Sequence, residues 1–114
     1  KTSEFEFHRA AAALRRAGFS AESIGVYLLA GLPGQSLEEV PAAVEAVRQA
    51  GVRPIPAYYS PIPGTDLWPE ARRCSRYDLE RDPLYTNNAV LPCWPAFSWP
   101  AVSKIKAAAR GPVN

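Results

Sequence analysis

The sequence predicts an α/β fold in which parallel strands alternate with flanking helices. Residues 24–30, Ile-Gly-Val-Tyr-Leu-Leu-Ala, are an uncharged, mostly apolar run suited to a strand buried on both faces. A Gly-Leu-Pro-Gly-Gln turn follows, and Leu37, Val40, Val44 and Val47 then recur at helical spacing, completing one βα unit. A second strand-like run, 52–60, returns after that helix, at a distance suited to a right-handed parallel crossover. Ligands of parallel sheets gather at the C-terminal ends of strands, so residues 31–36 are the first place to look for function.

The elements follow in order. A helix is expected over 4–17, because Ser3 and Glu6 have capping-box spacing and Phe7, Ala11 and Leu14 form a narrow apolar stripe. Arg15 and Arg16 suit its last turn, Gly18 its stop, and His8 lies off the stripe. Ser36 with Glu39 predicts a second capping box, and Gly51 the end of the second helix. Pro41 conflicts with a start at Ser36: either the first turn is distorted or the helix begins later. In the second strand Pro54 and Pro56 cannot donate to a ladder, so good pairing is expected only over 57–60. A stiff Pro-Ile-Pro-Gly-Thr turn and a short helix over about 67–74, capped by Thr65 or Asp66, come next. From 75 to 95 no period holds; Asp82-Pro83 and Asn87-Asn88 mark turns. A last helix begins near Trp99, with Ser98 as cap, Phe97 and Val102 as a staple, and Gly111-Pro112 as stop.

Bulk properties exclude several classes. The 114 residues suffice for one small domain, and a net charge of +2 is far from that of a dedicated nucleic-acid binder. No apolar run reaches a membrane span and no secretory pattern is visible, so a soluble, cytoplasmic protein is expected. The sequence has no Met, which reads as a piece of a longer protein. Two cysteines, Cys74 and Cys93, are too few for a disulfide scaffold and read as free structural thiols. With His8 the sole histidine, a zinc site is not expected.

Three motifs in order carry a resemblance: Tyr27 to Ser36 with its Gly-Leu-Pro-Gly-Gln turn, Tyr59-Ser60-Pro61-Ile62-Pro63-Gly64-Thr65, and Asp82-Pro83-Leu84-Tyr85-Thr86-Asn87-Asn88. Together they resemble the later part of radical S-adenosylmethionine iron–sulfur proteins, most closely the group with a cobalamin-binding domain ahead of the radical domain. The resemblance implies a partial TIM-type barrel, usually of six βα units, with S-adenosylmethionine and a [4Fe-4S] cluster at the strands' C-terminal ends. There the cluster reductively cleaves the cofactor to a 5′-deoxyadenosyl radical. The two strands would be the fifth and sixth, residues 1–114 would be the C-terminal part of the core domain, 19–74 its two βα units, and 75–114 an irregular and helical extension. The parent would be an oxidoreductase or radical transferase using S-adenosylmethionine, [4Fe-4S] and, by the closest likeness, cobalamin. The family's Cys-x3-Cys-x2-Cys loop is missing, so this piece is expected to bind no cofactor and to be inactive alone. Its expected partners are the rest of its own barrel and further copies of itself, with no nucleic acid and no membrane.

Tyr27, Leu29, Gly31, Pro33, Gly34, Gln35, Tyr58 and Ser60 are the candidate cofactor-binding residues; no catalytic or metal-binding residue is expected. Strand alternation puts Tyr27 and Leu29 on one face, toward a barrel lumen or, alternatively, as core side chains. Tyr58 would share the lumen with Ser60. The turn at 31–36 has two readings: its N–H groups and the helix start face a ligand, or its glycines only make the turn. It is not a phosphate-binding P-loop, for the Gly-Lys-Ser/Thr ending is missing. Trp94, Phe97 and Trp99 would face substrate or, as aromatics more often do, cover the end of a core. The alternative to the enzyme reading is a non-catalytic α/β interaction module.

Overall fold

The computed structural model describes residues 2–36, 38–95 and 98–111. Its elements are α1 (Glu4–Arg16), β1 (Gly25–Ala30), α2 (Glu39–Gln49), β2 (Arg53–Tyr58), α3 (Trp68–Cys74) and α4 (Trp99–Ala109). Short 3₁₀ turns occupy Ala21–Ser23, Pro83–Thr86 and Asn88–Val90.

The start of α1 follows the expected capping box. Ser3 Oγ accepts from the Glu6 N–H at 3.2 Å, and the Ser3 N–H donates to Glu6 Oε2 at 2.8 Å. The bond from the Ser3 backbone, then the one to its side chain, lowers the Glu6 carboxyl below its ordinary value. By contrast, α2 begins at Glu39 and not at Ser36. Only half of the second box forms, the Ser36 N–H donating to Glu39 Oε2 at 2.6 Å. The later start resolves the conflict at Pro41, which now falls in the first turn, where an N–H has no intrahelical partner. Leu37, the first position of the expected apolar stripe, lies outside the described residues.

The two strands form a parallel pair, in register from Gly25 opposite Arg53 to Ala30 opposite Tyr58. Pairing is therefore not confined to 57–60 as expected. The Arg53 and Tyr59 N–H groups donate to the Ile24 and Ala30 carbonyls, both at 2.9 Å. Alternation along the strand then points the backbone of Pro54 and Pro56 away from β1, so their missing N–H groups cost the ladder nothing. They instead remove donors from the outer edge of β2. The outer edge of β1, at Gly25, Tyr27 and Leu29, keeps its N–H groups.

The described helices that contact the sheet pack on one face of it. Ile24, Val26 and Leu28 meet Ala11 and Phe7 of α1, Val47 of α2, and Val52. Ala30 and Tyr58 meet Val40 of α2, Val102 and Ile105 of α4, and Leu91 and Trp94. A third cluster gathers Ala71 of α3, Leu79 and Cys93 with Tyr59, Trp68 and Tyr85. On the other face the described residues leave β1 uncovered, with Tyr27 75% and Leu29 52% exposed. The expectation of a strand buried on both faces is thus corrected: among the described residues, β1 is covered on one face only. The molecule is correspondingly thin, 49 × 30 × 20 Å, as one sheet and one helical layer require.

Later elements follow their local signals. Ser98 Oγ accepts from the Ala101 N–H at 3.3 Å and caps α4, while its expected staple partner Phe97 and the stop residue Pro112 lie outside the described residues. Asp82 and Asn87 accept from the Leu84 and Ala89 N–H groups and set the two turns that the sequence marks there. The expected Thr65 or Asp66 cap of α3 does not form; Thr65 Oγ1 donates back to the Ile62 carbonyl, and Leu67 stands at the N-cap. Among the described residues, no helix is long and apolar enough to cross a membrane.

Candidate functional site

The turn after β1 is closed by its own glutamine. Gln35 Oε1 accepts from the Gly31 N–H at 2.8 Å and the Leu32 N–H at 3.3 Å, while its Nε2 donates to the Leu29 carbonyl at 3.0 Å. Leu29 and Gly31 both point toward the outer edge of β1, so this amide occupies the place where a neighbouring strand's peptide would pair. The Gln35 N–H donates to the Leu32 carbonyl and the Ser36 N–H to Glu39. Most donors of the turn are therefore already engaged, with Pro33 contributing none.

The glycines of this turn serve different ends. Gly31 has φ +89° and is buried; a Cβ there would lie 3.1 Å from Leu91 Cδ2 and 3.7 Å from Trp94 Nε1. It lets β1 end beneath Trp94, which is fully buried and whose Nε1 has no hydrogen-bond partner among the described residues. Gly34, at φ +74°, is exposed, and a Cβ there would meet only Glu70 Oε1, at 3.7 Å. Of the turn's backbone, Gly34 is the part open to an approaching ligand.

The register separates the candidate residues. Tyr58 stands opposite Ala30, on the helix-covered face, whereas Tyr27 and Leu29 stand on the bare face. Tyr58 therefore does not line a common wall with Tyr27 and Leu29, as the sequence led one to expect. The cause is the parity of the ladder: Leu29 is opposite Ala57, one residue before the tyrosine. Tyr58 borders a cleft of about 210 Å³ with Asn88, Trp99 and Lys106, and its hydroxyl is buried without a partner among the described residues. Burial raises its pKa. Ser60 Oγ donates to the Thr86 carbonyl, tying the end of β2 to the Pro83–Thr86 turn.

Two features were missed in the sequence. Arg76 pins the loop before Trp94: its Nη2 donates to the Val90 and Leu91 carbonyls at 2.8 and 3.2 Å, and its N–H to the Pro92 carbonyl at 2.8 Å. Leu91 is held there at φ +46°, an unusual conformation for a branched side chain. No periodicity announces such a clamp. The second feature is the proximity of Cys74 to Cys93, whose thiols share the Ala71 carbonyl as acceptor. The spacing of the two cysteines in sequence gives no sign of it. Trp94 covers the end of the core, as aromatics more often do, while Trp99 is largely exposed.

Among the described residues, no group of three or more His, Cys, Asp or Glu side chains is placed to hold a metal ion. Scans against protein-family models, curated proteins and solved structures give no match to this chain.

Proposed function

We propose that this chain is the last two βα units of an open, partial TIM-type barrel in a radical S-adenosylmethionine enzyme, contributing one wall of the cofactor and substrate chamber. The bare face of the sheet carries the reading. Parallel sheets are ordinarily covered on both faces, yet here the helices lie on one side and Tyr27 and Leu29 stand open on the other. A barrel wall needs that arrangement, with helices outside and strand side chains toward a lumen. The two edges support it as well. Pro54 and Pro56 suit β2 to be a terminal strand, and β1 keeps donors for a preceding one.

The residues present do not fit an iron–sulfur cluster: there is no three-cysteine loop, and the two cysteines, Cys74 and Cys93, share a backbone acceptor away from any third thiolate. Toward S-adenosylmethionine they fit as an apolar wall. Tyr27 and Leu29 offer ring and aliphatic surface, and Gly34 lets a ligand approach the backbone. Gln35, closed on its own turn, would position that backbone rather than touch the ligand. Cluster and cobalamin would be held by the parts ahead of this chain.

The test is the reading frame upstream of Lys1. A Cys-x3-Cys-x2-Cys loop is expected roughly 100 to 150 residues earlier, since each βα unit takes about 30 residues. A frame of that length without the loop overturns the proposal. A second reading, a non-catalytic α/β module, is favoured by the internal closure of the Gly31–Ser36 turn. Light scattering separates the two. A barrel wall on its own should self-associate at micromolar concentration through the β1 edge and the bare face, each 100 Å² of apolar burial giving about 2.5 kcal/mol. A strictly monomeric, cooperatively melting chain favours the module.

A further inference from the structure

Past the end of β2, in the cluster that packs on Tyr59, Cys74 closes α3 and Cys93 precedes Trp94. Cys74 is exposed, whereas Cys93 is only 6% exposed. Both thiols donate to one acceptor, the Ala71 carbonyl, each at 3.8 Å, which brings the two sulfurs to the same spot. The Ser75 N–H takes the same carbonyl at 2.9 Å. A carbonyl has two lone pairs, so the three donors compete, and the thiols are held side by side by packing more than by strong bonds. Little hydrogen bonding is lost if their protons leave.

We propose that Cys74 and Cys93 form a reactive dithiol site, which a low-molecular-weight disulfide such as oxidised glutathione converts to an intramolecular disulfide. The bond pins the end of α3 to the segment leading into α4. The exposed Cys74 sulfur attacks first, forming a mixed disulfide and expelling one glutathione thiolate. The Cys93 sulfur then attacks the Cys74 sulfur, and the second departing glutathione takes up the Cys93 proton. In sum, two protein S–H bonds and one glutathione S–S bond become one protein S–S bond and two glutathione S–H bonds. Glutathione gains the two electrons that the protein loses. Burial first, and the neighbouring Cys74 next, push the Cys93 thiol up to about 12, so the second step should quicken as pH rises.

The experiment incubates the full chain with oxidised glutathione, quenches with acid, and reads intact mass and peptide map. The expected product has lost two hydrogens, yields a Cys74–Cys93 linked peptide, and reverts with dithiothreitol. The Cys93→Ala variant should instead keep a stable glutathione adduct on Cys74, and the Cys74→Ala variant should stay unmodified. A lasting adduct on either thiol of the parental chain, a disulfide between two copies, or no reaction overturns the proposal. The parental arm decides even where a variant fails to fold.

Discussion

After β1 the chain turns inside its own packing, whereas after β2 it turns in solvent. Gly31 is buried under Leu91 and Trp94, and Gln35 binds both sides of the turn with its amide. Past β2, Pro61 is buried, but Ile62 is 57% exposed and Gly64 has nothing within 4 Å of where a Cβ would stand. Both glycines have positive φ, +89° at Gly31 and +83° at Gly64. The same backbone requirement thus sits in two different surroundings. Conformation alone does not fix what a glycine contributes; what lies above it does.

That contrast sets the largest expected effect. Gly31→Ala meets both the left-handed penalty of an L residue, about 1–2 kcal/mol, and overpacking, about 1–3 kcal/mol. A loss of about 2–5 kcal/mol in urea denaturation is expected. Gly64→Ala meets the first term alone and should lose about 1–2 kcal/mol. Equal losses would break the comparison.

The side chains that close the two turns come next. Gln35→Ala strands the part-buried Gly31 N–H and should cost about 1–3 kcal/mol. In the second turn the corresponding bond, Thr65 Oγ1 to the Ile62 carbonyl, is exposed. Thr65→Ala should stay within about 0.5 kcal/mol, as surface changes do. If Gln35→Ala proves equally mild, its amide is an incidental contact and the turn is left freer to meet a ligand.

These side chains also show where sequence reasoning reaches and where it stops. Ser3 with Glu6, Ser98, Asp82 and Asn87 act within three residues of themselves, so their caps and turns were legible. The two strands were legible too, by their apolar runs. Gln35 reaches back three to six residues, and its target is set by the positive φ of Gly31 and by the open edge of β1, neither of which is written in its neighbours. The face of Tyr58 was not legible, because the sequence does not say that Leu29 pairs with Ala57 and so puts Tyr58 on the face opposite Tyr27. The Arg76 clamp and the Cys74–Cys93 contact join segments that only tertiary packing brings together. The bare face was illegible for a different reason: an apolar run reads alike whether it is covered on one face or two.

The smallest expected effect is alkaline, and it concerns the β2 end. Burial raises the pKa of Tyr58 from 10.0, and burial, then Cys93, Cys74 and Glu70, raise that of Tyr59 from 10.0. In the unfolded chain both phenols ionise near the ordinary value, while in the fold they hold their protons to higher pH. The stability this gives is fully present below about pH 10 and is lost as pH rises through the folded values, because there the unfolded state binds fewer protons. Both rings are only partly buried, so the fall should be modest. Denaturation midpoints between about pH 9 and 11 measure it. Tyr59→Phe should flatten part of the slope, and at neutral pH it should cost little, since the buried Tyr59 hydroxyl has no partner among the described residues to lose. The packing of Gly31 involves no ionising side chain, so the difference between Gly31→Ala and the parent should persist across that range. A Gly31→Ala penalty that shrinks with the alkaline slope would mean that the two strand ends unfold as one unit, and that the contrast between them is one of exposure alone.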